Sequence, residues 1–443
     1  MKRKLFILIA LIATQALAQD VWDVTRCMEY AVTHNHEVTR KQLSFDNYQA
    51  EHLNAVGNFL PAIDANVGAQ YNFGRAIDPE TNTYTNVSTF YNGYALSAHI
   101  PVFDAMGRIH ALKAAKADIL MGKNALRQQQ GQTALDTYQA FIHVVYYQGM
   151  VKMATEKLHE SQGLVRQTRA MKEVGRKSQA DLAQMEAEEA EATYQLTTYQ
   201  NQLASAMLSL KQQMNYPIDQ PLNVIHEDSR RMKDMLTPLE IQPNDSSLFI
   251  LHASFPSLQQ AYHAQQSAYH QWRQARANFF PTLSLSAGLS TTYFKTLHST
   301  TATPFHRQFS NNMGEYIAAT LSIPIFNRLS TVARAKKAKN NYLIAKEDYE
   351  QKRMELEKLS QEAWQDMKAY TLQAQQAYKK VTADSIAYLL TRRQYEEGLA
   401  TAIELHNTAS NLLNSQSTLL QCQLMARMKE LLVRYYNGEE IWQ

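Results

Sequence analysis

Two regions of this 443-residue chain alternate apolar side chains with small or polar ones. One begins after Pro61 and the other after Pro281, about 220 residues later. A period of two puts the apolar residues on one face of a β-strand and the polar residues on the other. A second alternating stretch follows each, so the pattern predicts two strand hairpins, over residues 62–102 and 282–323. The predicted apolar faces are Ile63, Ala65, Val67, Ala69, Tyr71 and Phe73; Tyr94, Leu96, Ala98 and Ile100; Leu283, Leu285, Ala287, Leu289 and Tyr293; and Ile317, Ala319, Leu321 and Ile323.

These strands have the features of a sheet that lies between lipid and water. Each has about eleven residues, which suits a tilted crossing of a bilayer. Aromatic residues cluster at the strand ends, where membrane interfaces favour them. Four strands cannot close a barrel, and an open sheet edge cannot lie in lipid, so three copies of the chain would be needed to supply twelve strands. The alternative is an edge of a soluble β-sandwich.

The rest of the pattern is helical. Long helices are predicted from about Ala105 to Met171 and from about Ser330 to Tyr395, each roughly 100 Å long at 1.5 Å per residue. Such helices need neighbours along their length. Return helices from Ser178 to Met214 and from Thr401 to about Tyr436 supply them, with apolar spacing that suits coiled-coil packing. In the first return helix this spacing is broken once, at Glu189.

The chain is predicted to contain an internal tandem repeat. A shift of 220 aligns Pro61 with Pro281, and a shift of 223 aligns the strand-end residues Pro101 and Pro324. The predicted division is a first repeat over residues 19–217 and a second over 256–436, each with a helix, a strand hairpin, a long helix, a tip near residue 175 or 398 and a return helix; a loop-rich insert over 218–255; and a short C-terminal tail over 437–443. The helices that lead into the hairpins are predicted over 24–58 and 255–278.

Residues 1–18 have the pattern of a secretory signal peptide. A basic start is followed by an apolar stretch and by the small-residue cleavage signal Ala16-Leu17-Ala18, a combination typical of exported proteins. Removal of this segment removes three positive charges, so the formal charge of +3, from 44 basic and 41 acidic residues, falls to zero. A neutral chain gives no electrostatic reason to expect a nucleic-acid partner.

The sequence does not predict an enzyme, a cofactor or a metal site. It has no phosphate-binding glycine loop and neither a G-x-S-x-G nor an H-E-x-x-H motif. His34 and His36 could ligate a metal, but on one helix they point to different sides, so exposed histidines are favoured. Cys27 and Cys422 are interpreted as two buried thiols, with a single disulfide as the alternative.

In these motifs and their order the sequence resembles the TolC-like outer-membrane efflux proteins, the outer-membrane factors of tripartite pumps. The strand starts FLP and FFP, the strand ends IPVF and IPIF, and the turns VGRKSQADL and EGLATAIEL carry the resemblance, which covers the whole mature chain. It implies a membrane protein of mixed α and β class: a homotrimer with a twelve-strand barrel, four strands per chain, in outer-membrane lipid. A long α-helical coiled-coil tunnel would continue the barrel across the periplasm, with the insert as a belt around it.

The resemblance also implies a function and a location. The protein would be the exit duct of a tripartite efflux pump in the outer membrane of a Gram-negative cell. It would passively conduct substrates from an inner-membrane transporter and a periplasmic adaptor protein. A duct for type I protein secretion is an alternative that the sequence does not separate. A structural or adhesive coiled-coil protein of the envelope is the alternative from another class.

By the same resemblance, the two tips would form the periplasmic entrance. In the family an acid six residues after the turn glycine lines or braces the closed entrance, and here that offset gives Asp181 and Glu404. A basic residue usual after the second glycine is replaced by Ala400, so Arg176 and Lys177 would substitute. The alternative is that the acids are solvated charges worth little. The residues expected to dock the adaptor are Val174, Gly175, Leu182, Gly398, Leu399, Thr401 and Leu405.

Overall fold

A computed structural model describes residues 21–78, 82–86, 88–224, 255–297 and 303–442. In chain order the elements are β1 Val21–Trp22, α1 Val24–His34, α2 His36–Gly57, β2 Ala62–Asn72, β3 Arg75–Asp78, β4 Thr83–Asn86, β5 Thr89–Phe103, α3 Gly107–Glu173, α4 Gln179–Met214, β6 Asn223–Val224, α5 Pro256–Ala277, β7 Thr282–Thr296, α6 Phe305–Asn311, β8 Gly314–Ser322, α7 Ser330–Glu396 and α8 Ala402–Tyr436. The chain divides into two compact units, one from the segments Met1–Leu43, Asn124–Gln259 and Gln351–Gln443, the other from Ser44–Lys123 and Gln260–Glu350.

The second unit contains an antiparallel sheet of order β2-β5-β7-β8. Its register brings the predicted apolar faces together, because residues directly opposite each other share a face of the sheet. Leu96 lies opposite Leu289, and Ala287 lies opposite Ile317. One face of the sheet, called the apolar face below, is therefore largely apolar across all four strands. The other face carries small or polar residues, among them Asp64, Asn66, Gln70, Ser97, His99, Ser284, Ser286 and Ser290.

The four prolines singled out in the sequence mark strand ends in different ways. Pro61 and Pro281 immediately precede β2 and β7, where a residue without an N–H does not interrupt a ladder. Pro101 lies inside β5 opposite Ser284, at a register shift close to the end of that strand. Pro324 follows the last residue of β8 by two positions.

Both hairpin connections contain further regular elements. In the first, β3 and β4 pair as a short antiparallel hairpin. In the second, α6 begins after Pro304 and packs Phe305 and Phe309 against Tyr94, with ring centroids 6.1 and 5.4 Å apart. Phe305 and Phe309 are four residues apart, so both rings lie on the same side of the helix, the side that faces the sheet.

The helix predicted over residues 24–58 is interrupted at Asn35, which corrects that prediction. Asn35 has extended backbone angles and ends α1. Its amide Nδ2 donates to the carbonyl oxygen of Gln213 at 2.8 Å, and its Oδ1 accepts from the N–H of Glu37 at 2.7 Å. Asn215 donates in return to the carbonyl oxygen of His34 at 3.0 Å. The break is therefore fixed by contacts distant in sequence, which helical periodicity cannot reveal.

The first unit has a core where α1, α3 and α4 meet. Cys27, Val144, Leu210 and Met214 are buried in it, and β1 pairs in parallel with β6 beside it. Both cysteines are buried free thiols, and burial raises the pKa of Cys27 to about 12. Most of the predicted insert, residues 225–254, lies outside the described residues.

The two longest helices have the same length. α3 and α7 each contain 67 residues, and each is preceded by two consecutive non-glycine residues with positive φ, Ala105 and Met106 in one case and Arg328 and Leu329 in the other. Because α7 begins at residue 330 and α3 at residue 107, every boundary of this segment recurs after 223 residues. No helix among those described is both long enough and apolar enough to cross a membrane.

Two glycines inside α3 should respond to alanine in opposite ways. A Cβ at Gly131 would lie 2.5 Å from the buried ring of Tyr435, whereas a Cβ at Gly163 would meet nothing within 4 Å. Gly163→Ala should raise the free energy of unfolding by about 1 kcal/mol through helix propensity. Gly131→Ala should lower it by about 1–3 kcal/mol through overpacking. Denaturant unfolding in detergent would measure both, and equal effects would contradict the close approach at Gly131.

Candidate functional site at the helical tips

The two predicted tips are tight turns of the same backbone form, one between α3 and α4 and one between α7 and α8. Gly175 and Gly398 have φ of 78° and 83°, a region that favours glycine. In each turn the glycine N–H donates to the carbonyl three residues back, and the next N–H donates to the carbonyl five residues back, over 2.7 to 3.0 Å. This pair of bonds is the Schellman motif, which ends a helix cleanly.

Each return helix then begins with a reciprocal capping box. The N–H of Ser178 donates to Oδ2 of Asp181 at 2.9 Å, and the N–H of Asp181 donates to Oγ of Ser178 at 3.1 Å. Thr401 and Glu404 repeat the arrangement at 2.8 and 3.2 Å. The acid six residues after each turn glycine is therefore the third residue of the return helix. At that position its side chain accepts a hydrogen bond from the N–H of the N-cap residue.

The capping bonds also set the charge of the two acids. Hydrogen bonds from the N-cap N–H and hydroxyl lower the pKa of both Asp181 and Glu404. Both side chains are therefore ionised at neutral pH, and they lie at exposed tips. The sequence contains the capping pattern as S-x-x-D and T-x-x-E, a local signal for Ser178 and Thr401 as N-caps that is independent of the family resemblance.

The basic residues of the first tip do not share one environment. Lys177 places Nζ 3.8 Å from the ring centroid of Tyr395, a cation–π contact. Its charge also lowers the pKa of Asp181, by less than the two hydrogen bonds from Ser178 do. Arg176 is exposed, and its backbone N–H belongs to the turn. The role of Arg176 and Lys177 in closing the entrance stays a prediction.

A small core lies directly behind the turns and joins the two tips. The hydroxyl groups of Tyr395 and Thr168 are 2.9 Å apart in a buried hydrogen bond. Leu182 and Leu405 lie in this core with 6% and 1% of their surface exposed. This corrects their assignment to a docking surface, because the first inward position of each return helix packs against the long helices. The other core members are Leu164, Val165, Met185, Tyr388, Ala400, Ala402 and Ala409.

The exposed apolar residues of the tips are a different set. Val174 is 72% exposed, Leu399 is 76% exposed and Ile403 is 63% exposed. Ile403 was missed in the sequence, although it lies off the inward positions Ala402 and Leu405 and so had to face outward. Val174, Leu399 and Ile403 are called the tip apolar patch below.

A buried carboxyl group, that of Glu188 on α4, lies next to the tip core. Glu188 is buried, and its Oε1 is 3.3 Å from Nδ1 of His406 on α8. Burial raises the pKa of Glu188 and lowers that of Lys157 on α3. The break in the apolar spacing of the return helix is therefore at Glu188 and not at Glu189. A cavity of about 160 Å³ adjoins these titratable groups and is lined by Lys157, Glu188, Glu191, Ala192, Gln195, His406, Ser410, Leu413 and Asn414.

The candidate metal ligands of the sequence do not form a site. His34 stacks on Tyr30 with ring centroids 4.0 Å apart, and His36 begins the next helix and is exposed. Across the described part of the chain, no cluster of three or more His, Cys, Asp or Glu side chains could hold a metal ion.

Comparisons with known proteins match most of the chain. Residues 29–215 and 251–431 match the profile of a family described as outer membrane efflux protein. The antibiotic efflux pump outer membrane protein ArpC of Pseudomonas putida is 23% identical over 416 residues, which cover 91% of this chain and 80% of ArpC. The toluene efflux pump outer membrane protein TtgC of the same species is also 23% identical, again over 91% of this chain and 80% of TtgC.

Solved structures share the fold. The structure of CusC matches with a TM-score of 0.80 and 18% identity, covering 96% of this chain and 95% of that chain. The outer membrane protein VceC from Vibrio cholerae matches with a TM-score of 0.78 and 16% identity, covering 94% and 96%.

Proposed function

Because the chain belongs to the family of outer membrane efflux proteins, we propose that it is the outer-membrane exit duct of a tripartite efflux pump. It resides in the outer membrane, extends into the periplasm and conducts its substrates passively. It receives them from an inner-membrane transporter through a periplasmic adaptor protein. The observation that carries the proposal is the sheet with one largely apolar face, whose outer strands β2 and β8 each pair on one side only among the described residues.

The sheet edges support a homotrimer. In lipid, the free N–H and C=O groups along β2 and β8 would find no water, and each unpaired group would cost several kcal/mol. Pairing of β2 in one copy with β8 in the next removes every edge when the sheet closes. Three copies of four strands give a twelve-strand barrel, with the apolar face toward lipid and the polar face toward the lumen.

The helices support a tunnel built from two repeats per chain. The equal lengths of α3 and α7 and the common offset of 223 residues agree with repeats over residues 19–217 and 256–436, separated by the insert 218–255 and followed by the tail 437–443. In three copies, the long helices α3 and α7 pack as coiled coils with the return helices and with the helices that lead into the hairpins. Together they form a twelve-helix wall around the duct.

The tips form the entrance and the adaptor surface. Three copies bring six exposed carboxylates, from Asp181 and Glu404, around the axis, which favours cations at the entrance. The tip apolar patch contacts the adaptor, because its three large apolar side chains are 63% to 76% exposed and would be removed from water on binding. Gly175, Gly398 and Thr401 shape the turns that present this patch.

The mass of the protein extracted from outer membranes tests the proposal. Light scattering with the detergent contribution subtracted should give three times the mature-chain mass, and the purified protein should pass current in a planar bilayer. A monomer that is stable in detergent would leave open strand edges in lipid and would overturn the proposal. A trimer without current would indicate a structural envelope protein instead.

A deletion strain separates efflux from protein secretion. Loss of an efflux duct should increase sensitivity to toxic small molecules. Loss of a secretion duct should instead block the export of one polypeptide and leave drug sensitivity unchanged.

A further inference from the structure

The helix α6 is fixed to one end of the sheet. Strand β7 extends to Thr296, but its pairing with β8 ends at Ser290. Beyond that point the side chain of Gln308 takes the place of a neighbouring strand. Its Oε1 accepts from the N–H of Phe294 at 3.0 Å, and its Nε2 donates to the carbonyl of Phe294 at 2.8 Å.

Two further bonds hold α6 at this position. The hydroxyl of Thr291 donates to the carbonyl of Phe309 at 2.7 Å, and the amide of Asn312 donates to the carbonyl of Thr292 at 2.8 Å. Four hydrogen bonds therefore join α6 and its C-cap Asn312 to β7, so the position of this helix on the sheet is fixed.

The aromatic contacts show which face α6 covers. Phe305 packs against Tyr94 and against Tyr293, the latter with ring centroids 5.3 Å apart. Tyr94 and Tyr293 belong to the apolar face, because Tyr94 is two residues from Leu96 and Tyr293 is four residues from Leu289, and Leu96 and Leu289 lie opposite each other on that face. α6 therefore lies on the apolar face, and the rings of Phe90 and Tyr71 continue the same aromatic row.

The level of α6 along the strand matches the border of a membrane. Ten residues separate Leu283 from Tyr293, which is about 33 Å along a strand. At the usual tilt of about 40°, this corresponds to about 25 Å along the membrane normal, the height of the apolar band in outer-membrane barrels. The helices leave the sheet at the Leu283 end, so α6 lies at the opposite border, where aromatic residues are favoured.

The outward side of α6 is basic. Phe305, Gln308 and Phe309 point toward the sheet, so the helical period of 100° turns His306 and Arg307 away from it, and both are exposed. Lys295 adds a second permanent cation on the apolar face, opposite Phe90. A cation on the lipid-facing side costs about 2–4 kcal/mol at the midplane but little at the interface, where headgroup phosphates are its natural partners.

We propose that α6 is an interfacial anchor, and that Arg307 and Lys295, with His306 beside them, bind the phosphate groups of lipid headgroups in the outer leaflet. The aromatic row lies at the border of the hydrocarbon layer and the cations lie just outside it. The proposal rests on the proposed function, because it requires the apolar face to meet lipid.

Lipid retention by the purified full-length protein tests this. The probe is lipid A with two phosphates, titrated into the detergent-solubilised protein and counted by native mass spectrometry, with lipid A of one phosphate as the comparison. The double variant Arg307→Gln/Lys295→Gln should bind the diphosphorylated lipid about tenfold more weakly, equivalent to about 1.4 kcal/mol. The matched control Lys336→Gln/Lys337→Gln removes the same charge from exposed positions of α7 and should bind like wild type.

The other outcomes are distinguishable. Arg307→Lys/Lys295→Arg should retain binding, and high salt should weaken it in wild type. Unchanged binding by the glutamine variant would overturn the proposal, and so would an equal loss in the control variant. The oligomer mass and the planar-bilayer current of wild type and of each variant are measured in parallel. If the proposed function is wrong, the wild-type protein will be monomeric or will pass no current, whatever its lipid binding.

Discussion

Replacement of Ile317 by lysine is expected to abolish assembly in the outer membrane, whereas replacement of its neighbour Ala318 is not. Ile317 is 87% exposed in the middle of β8 and lies on the apolar face opposite Ala287. Ala318 lies opposite Ser286 on the polar face. A lysine on the lipid side costs about 2–4 kcal/mol at the bilayer midplane, and a trimer would carry that cost three times.

The pair of variants is matched because the positions are adjacent, in the same strand, and gain the same side chain. Quantification of trimer in purified outer membranes is the measurement, followed by conductance for the variant that assembles. Ala318→Lys should form trimers and shift ion selectivity toward anions, since its charge faces the lumen. Equal assembly of both variants would contradict the assignment of the apolar face to lipid.

The second large effect is expected at the tips, where charge and helix capping can be separated. Asp181→Asn/Glu404→Gln removes both charges but keeps an oxygen that can accept the capping bond. Asp181→Ala/Glu404→Ala removes the charges together with the acceptors for the N–H groups of Ser178 and Thr401, and leaves the bonds to the two N-cap hydroxyls in place. If the acids constrict the entrance, both double variants should conduct more, lose cation selectivity and resist block by trivalent cations.

Only the alanine variant should also loosen the tips. Loss of the acid's half of each capping box costs at most about 1 kcal/mol per helix, the magnitude of a complete N-cap. Amide hydrogen exchange at the start of α4 and α8 should therefore accelerate in that variant alone. If the amide variant conducts like wild type and only the alanine variant changes, capping explains the acids and the constriction lies elsewhere.

The pH dependence has a definite sign. Because the folded-state pKa of both acids is lowered from ordinary values of 3.8 and 4.5, their charges and the stability they add persist down to those values. Both are lost as the pH falls further, through the lowered pKa values. Cation selectivity should therefore survive at pH 5 and disappear only in stronger acid. Disappearance near pH 6 would point to another group.

The features that the sequence predicted well are those with a local cause. Alternation along single strands was sufficient to place Leu96, Leu289 and Ile317 on one face, because strand period and pairing leave few other registers. The turns at Gly175 and Gly398, predicted from the repeat and the family resemblance, also have a local cause, because their positive φ favours glycine. The capping acids also have a local cause, although it was sought in the family and not in the S-x-x-D pattern.

The features that were missed depend on partners far away in sequence. The break at Asn35 requires the carbonyl of Gln213, and the burial of Leu182 and Leu405 requires the long helices behind them. α6 holds its place through Gln308 and Phe294, which no periodicity links. The break in the apolar spacing was predicted at Glu189, one position after the buried Glu188. Inward positions recur every three or four residues, so after Met185 the spacing alone allows either glutamate to face the core.

The shared length of the long helices limits how this protein can change over evolution. Within the first unit, α8 packs along α3 with Tyr435 at Gly131 and Leu420 at Gly149, and Thr168 of the same helix bonds to Tyr395. Deletion of one residue between Gly131 and Thr168 would turn Thr168 by about 100° and move it by about 1.5 Å. Substitutions are therefore tolerated far more easily than changes of length. The helices can be lengthened or shortened during evolution by steps such as seven or eleven residues, which restore the facing to within about 20°, and only when the partner helices change by the same step.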